Sequence, residues 1–171
     1  MRMKKSFRVA GYVKLAKLWE RRREDALEYH KRYYENKYAD SADFDLVNVY
    51  IDITGQKAIC KRPGMLRLLR DCSLGKIDCI ASQTKGYLAA NTREFCYLIK
   101  FLFETGKRID IITEDEMFNI DTLVNMDQQR EALHKMANEY VALNPDDYKR
   151  WEHEIVQSMN KVLLNQMEGG V

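Results

Sequence analysis

Apolar positions along this chain recur at a strand's spacing in some stretches and at a helix's in others. Phe7 to Tyr12 alternates and reads as a central strand that gives way to a loop starting at Tyr12. Leu18 to about Lys37 is rich in Arg, Glu, Ala and Tyr, with few β-branched residues. It predicts a helix with a strongly charged outer face, His30 lying in solvent. Phe44 to Ile51 is strand-like, and Gly55-Gln56-Lys57 reads as a loop. Pro63 suits the first turn of a helix that turns Leu66, Leu69 and Cys72 inward and stops near Gly75. Ile77 to Ala81 predicts a short buried strand. From Thr92 to Gly106 a stripe of Phe95, Cys96, Leu98, Ile99, Leu102 and Phe103 predicts an amphipathic helix with Gly106 as its C-cap. Arg108 to Ile112 predicts another strand. Strands alternating with helices predict an α/β sandwich of three layers around a mainly parallel sheet.

The character changes after Thr122, where the chain becomes acidic, helix-prone and rich in Met and Gln. Proline starts a helix but does not sit inside one, so the break at Asn144-Pro145 predicts two helices, about 122–142 and 146–166, with a frayed tail from Glu168. The expected organisation is an α/β domain over residues 1–121 and a C-terminal helical extension over 122–171. That extension is expected either to pair with another chain or to fold back over its own domain.

Charge divides along the same boundary. Residues 1–113 hold 23 Lys and Arg against 14 Asp and Glu, whereas residues 114–171 hold 5 against 12. A polyanion is therefore a reasonable partner for the N-terminal part. The four cysteines show no CxxC pair and no histidine stands at ligand spacing, so reduced thiols in a cytoplasmic protein are expected, with no metal and no cofactor. No apolar run is long enough to span a membrane.

Several short motifs then fall in a telling order. Tyr12-x-Lys14-x-Ala16 follows the first strand. Tyr50, Asp52 and Gly55 mark the next strand's end, Arg62-Pro63 opens the following helix, and Gly75-Lys76-Ile77-Asp78 precedes a strand. Glu114 and Ile120-Asp121-Thr122 come after the last one. In this order and spacing, over roughly residues 7–123, the chain resembles the catalytic domain of serine recombinases, the resolvase/invertase family. The resemblance implies a resolvase-like fold that pairs through a long helix. It also implies a serine at the end of the first strand that attacks a DNA phosphodiester within a cluster of arginines, whose planar forks bind phosphate oxygens.

The sequence departs from that pattern at the positions carrying the chemistry. Ala16 stands at the nucleophile's place and Lys14 at an arginine's. Gly86, Tyr87 and Ala90 fall where an aspartate and two arginines belong. Arg62 is the retained member of the cluster, with Asp52 beside it in the pattern. Lys14, Arg62 and Lys85 are the candidates for contact with DNA phosphate. The expected protein is a catalytically inactive relative that works through association: as a homodimer or higher homo-oligomer held by the C-terminal helices, with an active recombinase, or on DNA. Two other readings remain open from the residues. One is an active strand-exchange enzyme or nuclease with a site rebuilt from Lys14, Arg62, Lys85 and Tyr87. The other is an unrelated α/β domain binding a small molecule at the strand ends.

Overall fold

A computed structural model describes residues 6–104, 109–115, 120–122 and 126–168, with the backbone alone for 126–128 and 164–168. The elements run β1 (Phe7–Leu15), α1 (Arg23–Tyr38), β2 (Phe44–Ile53), α2 (Pro63–Ser73), β3 (Cys79–Ser82), α3 (Lys85–Leu88), α4 (Thr92–Glu104), β4 (Asp110–Thr113), α5 (Met126–Ala142) and α6 (Pro145–Glu168). The four strands form one parallel sheet in the order β2-β1-β3-β4. The expected cap at Gly106, the strand start at Arg108, the residues 123–125 of the first C-terminal helix and the tail at 169–171 lie outside the described residues.

Alternation along the strands sends side chains to two cores. Val9, Val13 and Leu15 of β1, with Val49 and Ile51 of β2, pack beneath Ala26, Tyr34 and Tyr38 of α1. On the other face, Ala10, Tyr12, Tyr50 and Ile80 meet α2 and α4 through Met65, Leu69, Cys96 and Ile99. The result is the expected three-layer α/β sandwich. Ala137, Val141, Trp151, Ile155 and Met159 join that second core, so α5 and α6 lie against the body of the same chain.

Three expectations need correction. β1 does not end at Tyr12: it continues to Leu15, because Val13 and Leu15 face α1 and the backbone stays paired with β2 as far as Ile53. The helix expected over 18–37 is broken. Lys17–Arg22 is a 3-10 segment with no buried residue, and Arg22 leaves helical geometry (φ −129, ψ 40) before α1 begins. With no apolar face to dock, that segment has nothing to hold it on the axis of α1. His30 is half-buried rather than solvated; its Nδ1 is enclosed with no partner among the described residues, and burial lowers its pKa.

The helix ends show the local logic. Pro63 occupies the first turn of α2, where a missing N–H costs nothing. The helix stops where Gly75 takes φ 74; the Gly75 N–H donates to the Cys72 carbonyl and the Lys76 N–H to that of Asp71, a Schellman ending. At α6 the Asn144 side chain accepts from the Asp147 N–H, capping the turn that Pro145 opens.

Candidate functional site

The site lies where β1 and β2 end and α2 begins. Parallel register sets Tyr12 beside Tyr50 and Lys14 beside Asp52. Asp52 faces α2 and is buried. Its Oδ1 accepts from the Gly64 N–H at 2.7 Å, and its Oδ2 from the Met65 N–H at 2.8 Å and the Tyr12 hydroxyl at 2.8 Å. The first N–H groups of a helix have no acceptor within it, and an anion suits that end of the dipole. A carboxylate from β2 thus caps α2 across the core. Gly64 permits the approach, since a Cβ there would stand 2.9–3.0 Å from the atoms of the Asp52 carboxylate. Burial, reinforced by the Asp52 charge and opposed by Arg62, pushes the Tyr12 phenol far above its ordinary range. It stays a neutral donor.

Arg62 is wholly buried. Its Nη1 donates to the Tyr87 carbonyl at 2.8 Å and the Leu88 carbonyl at 3.4 Å, and its Nη2 to the Lys57 carbonyl at 2.6 Å. Its Nε has no partner among the described residues. The sequence suggests a cation facing phosphate; here the guanidinium points inward and ties the loop around Lys57 and the short helix α3 to the start of α2. Lys14 is half-buried. Burial holds its ammonium below the usual lysine range, with Arg62 and Lys57 adding to the effect and Asp52 opposing it.

Ala16 is the first residue past β1. It is exposed and extended, and its carbonyl accepts from the Trp19 N–H at 3.0 Å. Its methyl carries no oxygen that can form an ester. Gly86 is exposed at the start of α3, where its N–H donates to Thr84 Oγ1. Tyr87 is half-buried and packs against both cores. Ala90 is exposed. Lys85 stands with its ammonium 5.9 Å from the centre of the Phe95 ring, and its backbone N–H donates to Asp115. The fold therefore gathers Lys14, Asp52 and Arg62 into one cluster and attaches α3 to it through the Tyr87 carbonyl. It places no charge at 86, 87 or 90.

Sequence reasoning missed three members of this cluster: Tyr12 as a donor to Asp52, Lys57 as the third cation, and Ser82, whose hydroxyl donates to the Tyr12 carbonyl at 2.8 Å. The signal for Tyr12 was present in the parallel motifs Tyr12-x-Lys14 and Tyr50-x-Asp52, which place the four residues on neighbouring strands. Among the described residues no group of three or more His, Cys, Asp or Glu is arranged to hold a metal ion, and no helix is long and apolar enough to cross a membrane.

A parallel sheet of this order, with α1 on one face and α2 and α4 on the other, has the fold of serine recombinase catalytic domains. The N-terminal catalytic domain of TP901-1 integrase matches over 83% of this chain and 97% of its own, with a TM-score of 0.55 at 20% identity. A resolvase family site-specific recombinase from Streptococcus pneumoniae matches over 95% of this chain and 99% of its own, with a TM-score of 0.51 at 13% identity. At these identities the likeness is one of fold. No family model matches the chain, and no curated protein matches it in sequence.

Proposed function

We propose that this chain is a non-catalytic protein of the serine recombinase fold that acts by association, in DNA recombination or in the regulation of a mobile element. The observation that carries the reading is Ala16, an inert methyl at the end of the opening strand where the resolvase pattern has its nucleophile. Phosphoryl transfer needs an attacking oxygen in line and positive charge around the non-bridging oxygens. Loss of one such donor costs on the order of 3 kcal/mol. Here the oxygen is missing, two arginine positions are Tyr87 and Ala90, and Arg62 is engaged with backbone carbonyls.

The partner is a second copy of the chain, a catalytically competent recombinase or DNA. The basic excess of residues 1–113 supports backbone contact with DNA that weakens steeply as salt rises. The inner faces of α5 and α6 cover their own domain. A dimer through these helices therefore uses their outer side, where Met136 and Val156 are exposed, with Leu143 exposed in the turn between them. The cytoplasm suits the four free thiols.

Supercoiled plasmid incubated with the purified chain tests the reading. Neither nicked circles nor a covalent protein–DNA adduct is expected, and Ala16→Ser alone restores neither. An adduct that disappears in Tyr87→Phe would overturn the reading in favour of a rebuilt site using Lys14, Arg62, Lys85 and Tyr87.

A further inference from the structure

Eleven arginines have described side chains, and eight of them reach a carboxylate or a backbone carbonyl. Arg21, Arg67 and Arg70 have no such partner among the described residues. Arg21 is exposed, as a solvated charge should be. Arg67 and Arg70 differ: both are half-buried, and both line one cleft of about 210 Å³ between β2, α2 and α6. No guanidinium nitrogen of either is enclosed: the stems are covered while the two forks stay open to an anion arriving from solvent.

The cleft is organised around them. Its carboxylate, Asp71, accepts from the Tyr50 hydroxyl and stands 3.9 Å from the Lys76 ammonium, with no ion pair to either arginine. Asn48 lines the cleft beside Tyr50, its Oδ1 accepting from the Val49 N–H. The floor is thereby fixed without the two guanidinium groups. Met159 and Val162 of α6 supply an apolar wall. Residues three apart on a helix are neighbours, about 5–6 Å between Cβ atoms, so the forks of Arg67 and Arg70 can converge on one anion. A carboxylate offers two oxygens and fills one fork; a phosphoryl group has enough oxygens for two.

We propose that the Arg67–Arg70 cleft is a phosphoryl-binding site, distinct from the strand-end cluster around Asp52. The proposal stands whether or not the strand-end reading holds. The phosphoryl group comes either from a small phosphate ester or from a nucleic-acid backbone, and the two sources separate experimentally.

The full chain is titrated with inorganic phosphate at low ionic strength, with binding followed by amide NMR shifts, and with duplex DNA at several salt concentrations, followed by anisotropy. Saturable phosphate binding is expected, with shifts at residues 66–71, weakened tenfold or more in R67Q/R70Q. In R67K/R70K, which keeps the charge and removes the forks, binding weakens several-fold. R21Q serves as the control and binds phosphate normally. If the source is DNA, the salt slope for DNA falls by about two in R67Q/R70Q, one for each lost phosphate contact. If the source is a small ester, phosphate binding is lost while the DNA slope stays unchanged. Absence of saturable phosphate binding, binding that R67Q/R70Q leaves intact, or an equal loss in R21Q overturns the proposal. Circular dichroism confirms that each variant is folded.

Discussion

Two buried carboxylates serve α2 and α4 in contrasting ways. Asp52 takes three short hydrogen bonds, from Tyr12, Gly64 and Met65, all within 2.7–2.8 Å. Glu94 at the start of α4 takes longer ones, from the Ile59 N–H at 3.2 Å and the Trp151 indole at 3.4 Å. Around Asp52 the neighbours are charged. Around Glu94 they are aromatic: Trp151 lies edge-on to Tyr97 and Phe101 and stacks near Tyr148. The strand end is thus held by polar geometry, and the C-terminal helices by apolar area with one polar tip. Polar geometry fixes positions to a few tenths of an ångström. Apolar area contributes more free energy with less demand on angle.

The largest test of that contrast is at Trp151. Trp151→Ala removes a buried indole from the α4–α6 contact and is expected to cost about 3–5 kcal/mol in urea unfolding. Trp151→Phe, which keeps most of the area and drops the bond to Glu94, is expected to cost far less. At the strand end, Asp52→Ala leaves the hydroxyl of Tyr12 and two backbone N–H groups without an acceptor in a closed core. A loss of roughly 3 kcal/mol is expected from the same measurement. Should Trp151→Phe prove as harmful as Trp151→Ala, the C-terminal contact is polar after all and the contrast fails.

How much of this could be read in advance follows the same divide. Pro63 and Gly75 marked both ends of α2, and Asn144-Pro145 marked the break before α6, because caps and breakers act over one turn of chain. The alternation of strands and helices led to the three-layer sandwich for a similar reason. The apolar run is interrupted by Lys14, so the pattern alone ends the strand at Tyr12, although Val13 and Leu15 on either side of Lys14 face the core. The direction of Arg62 was invisible. An Arg-Pro pair announces a charge at a helix start, and only the path of residues 57 and 87–88 turns that charge inward. The contact between Glu94 and Trp151 joins residues 57 positions apart, and the periodicity of either helix alone says only that it has an apolar face.

Gly64 sharpens the polar half of the comparison. In Gly64→Ala the new methyl would enter at 2.9–3.0 Å from the Asp52 carboxylate, which cannot retreat without losing its bonds to Met65 and Tyr12. An overpacking cost of about 1–3 kcal/mol is expected. The cost should shrink when Asp52 is already alanine, since the obstructing carboxylate is gone. A double-mutant cycle over Asp52→Ala and Gly64→Ala reads this directly. Strictly additive losses would mean that the glycine answers to something other than the close approach of Asp52.

The smallest effect expected is the response to acid at the start of α6. Asp147 accepts from Arg93 at 2.7 Å and from the Tyr97 hydroxyl at 2.8 Å, and these bonds hold its carboxyl down at about 2. Its place in the first turn of α6 also favours the charged form. In the unfolded chain an aspartate titrates near 3.9. A carboxylate with a depressed folded-state pKa stabilises fully above its unfolded value, and that contribution disappears as pH falls through the folded one. The C-terminal helices should therefore loosen between about pH 4 and about pH 2. Asp147→Asn cannot titrate, so its urea midpoint should fall less steeply across that window than the parent's, while near neutral pH it starts slightly lower for want of the charged pair with Arg93. Parallel acid profiles for the two proteins would show that Asp147 does not anchor the helices, leaving the aromatic contact at Trp151 to hold α6 against α4.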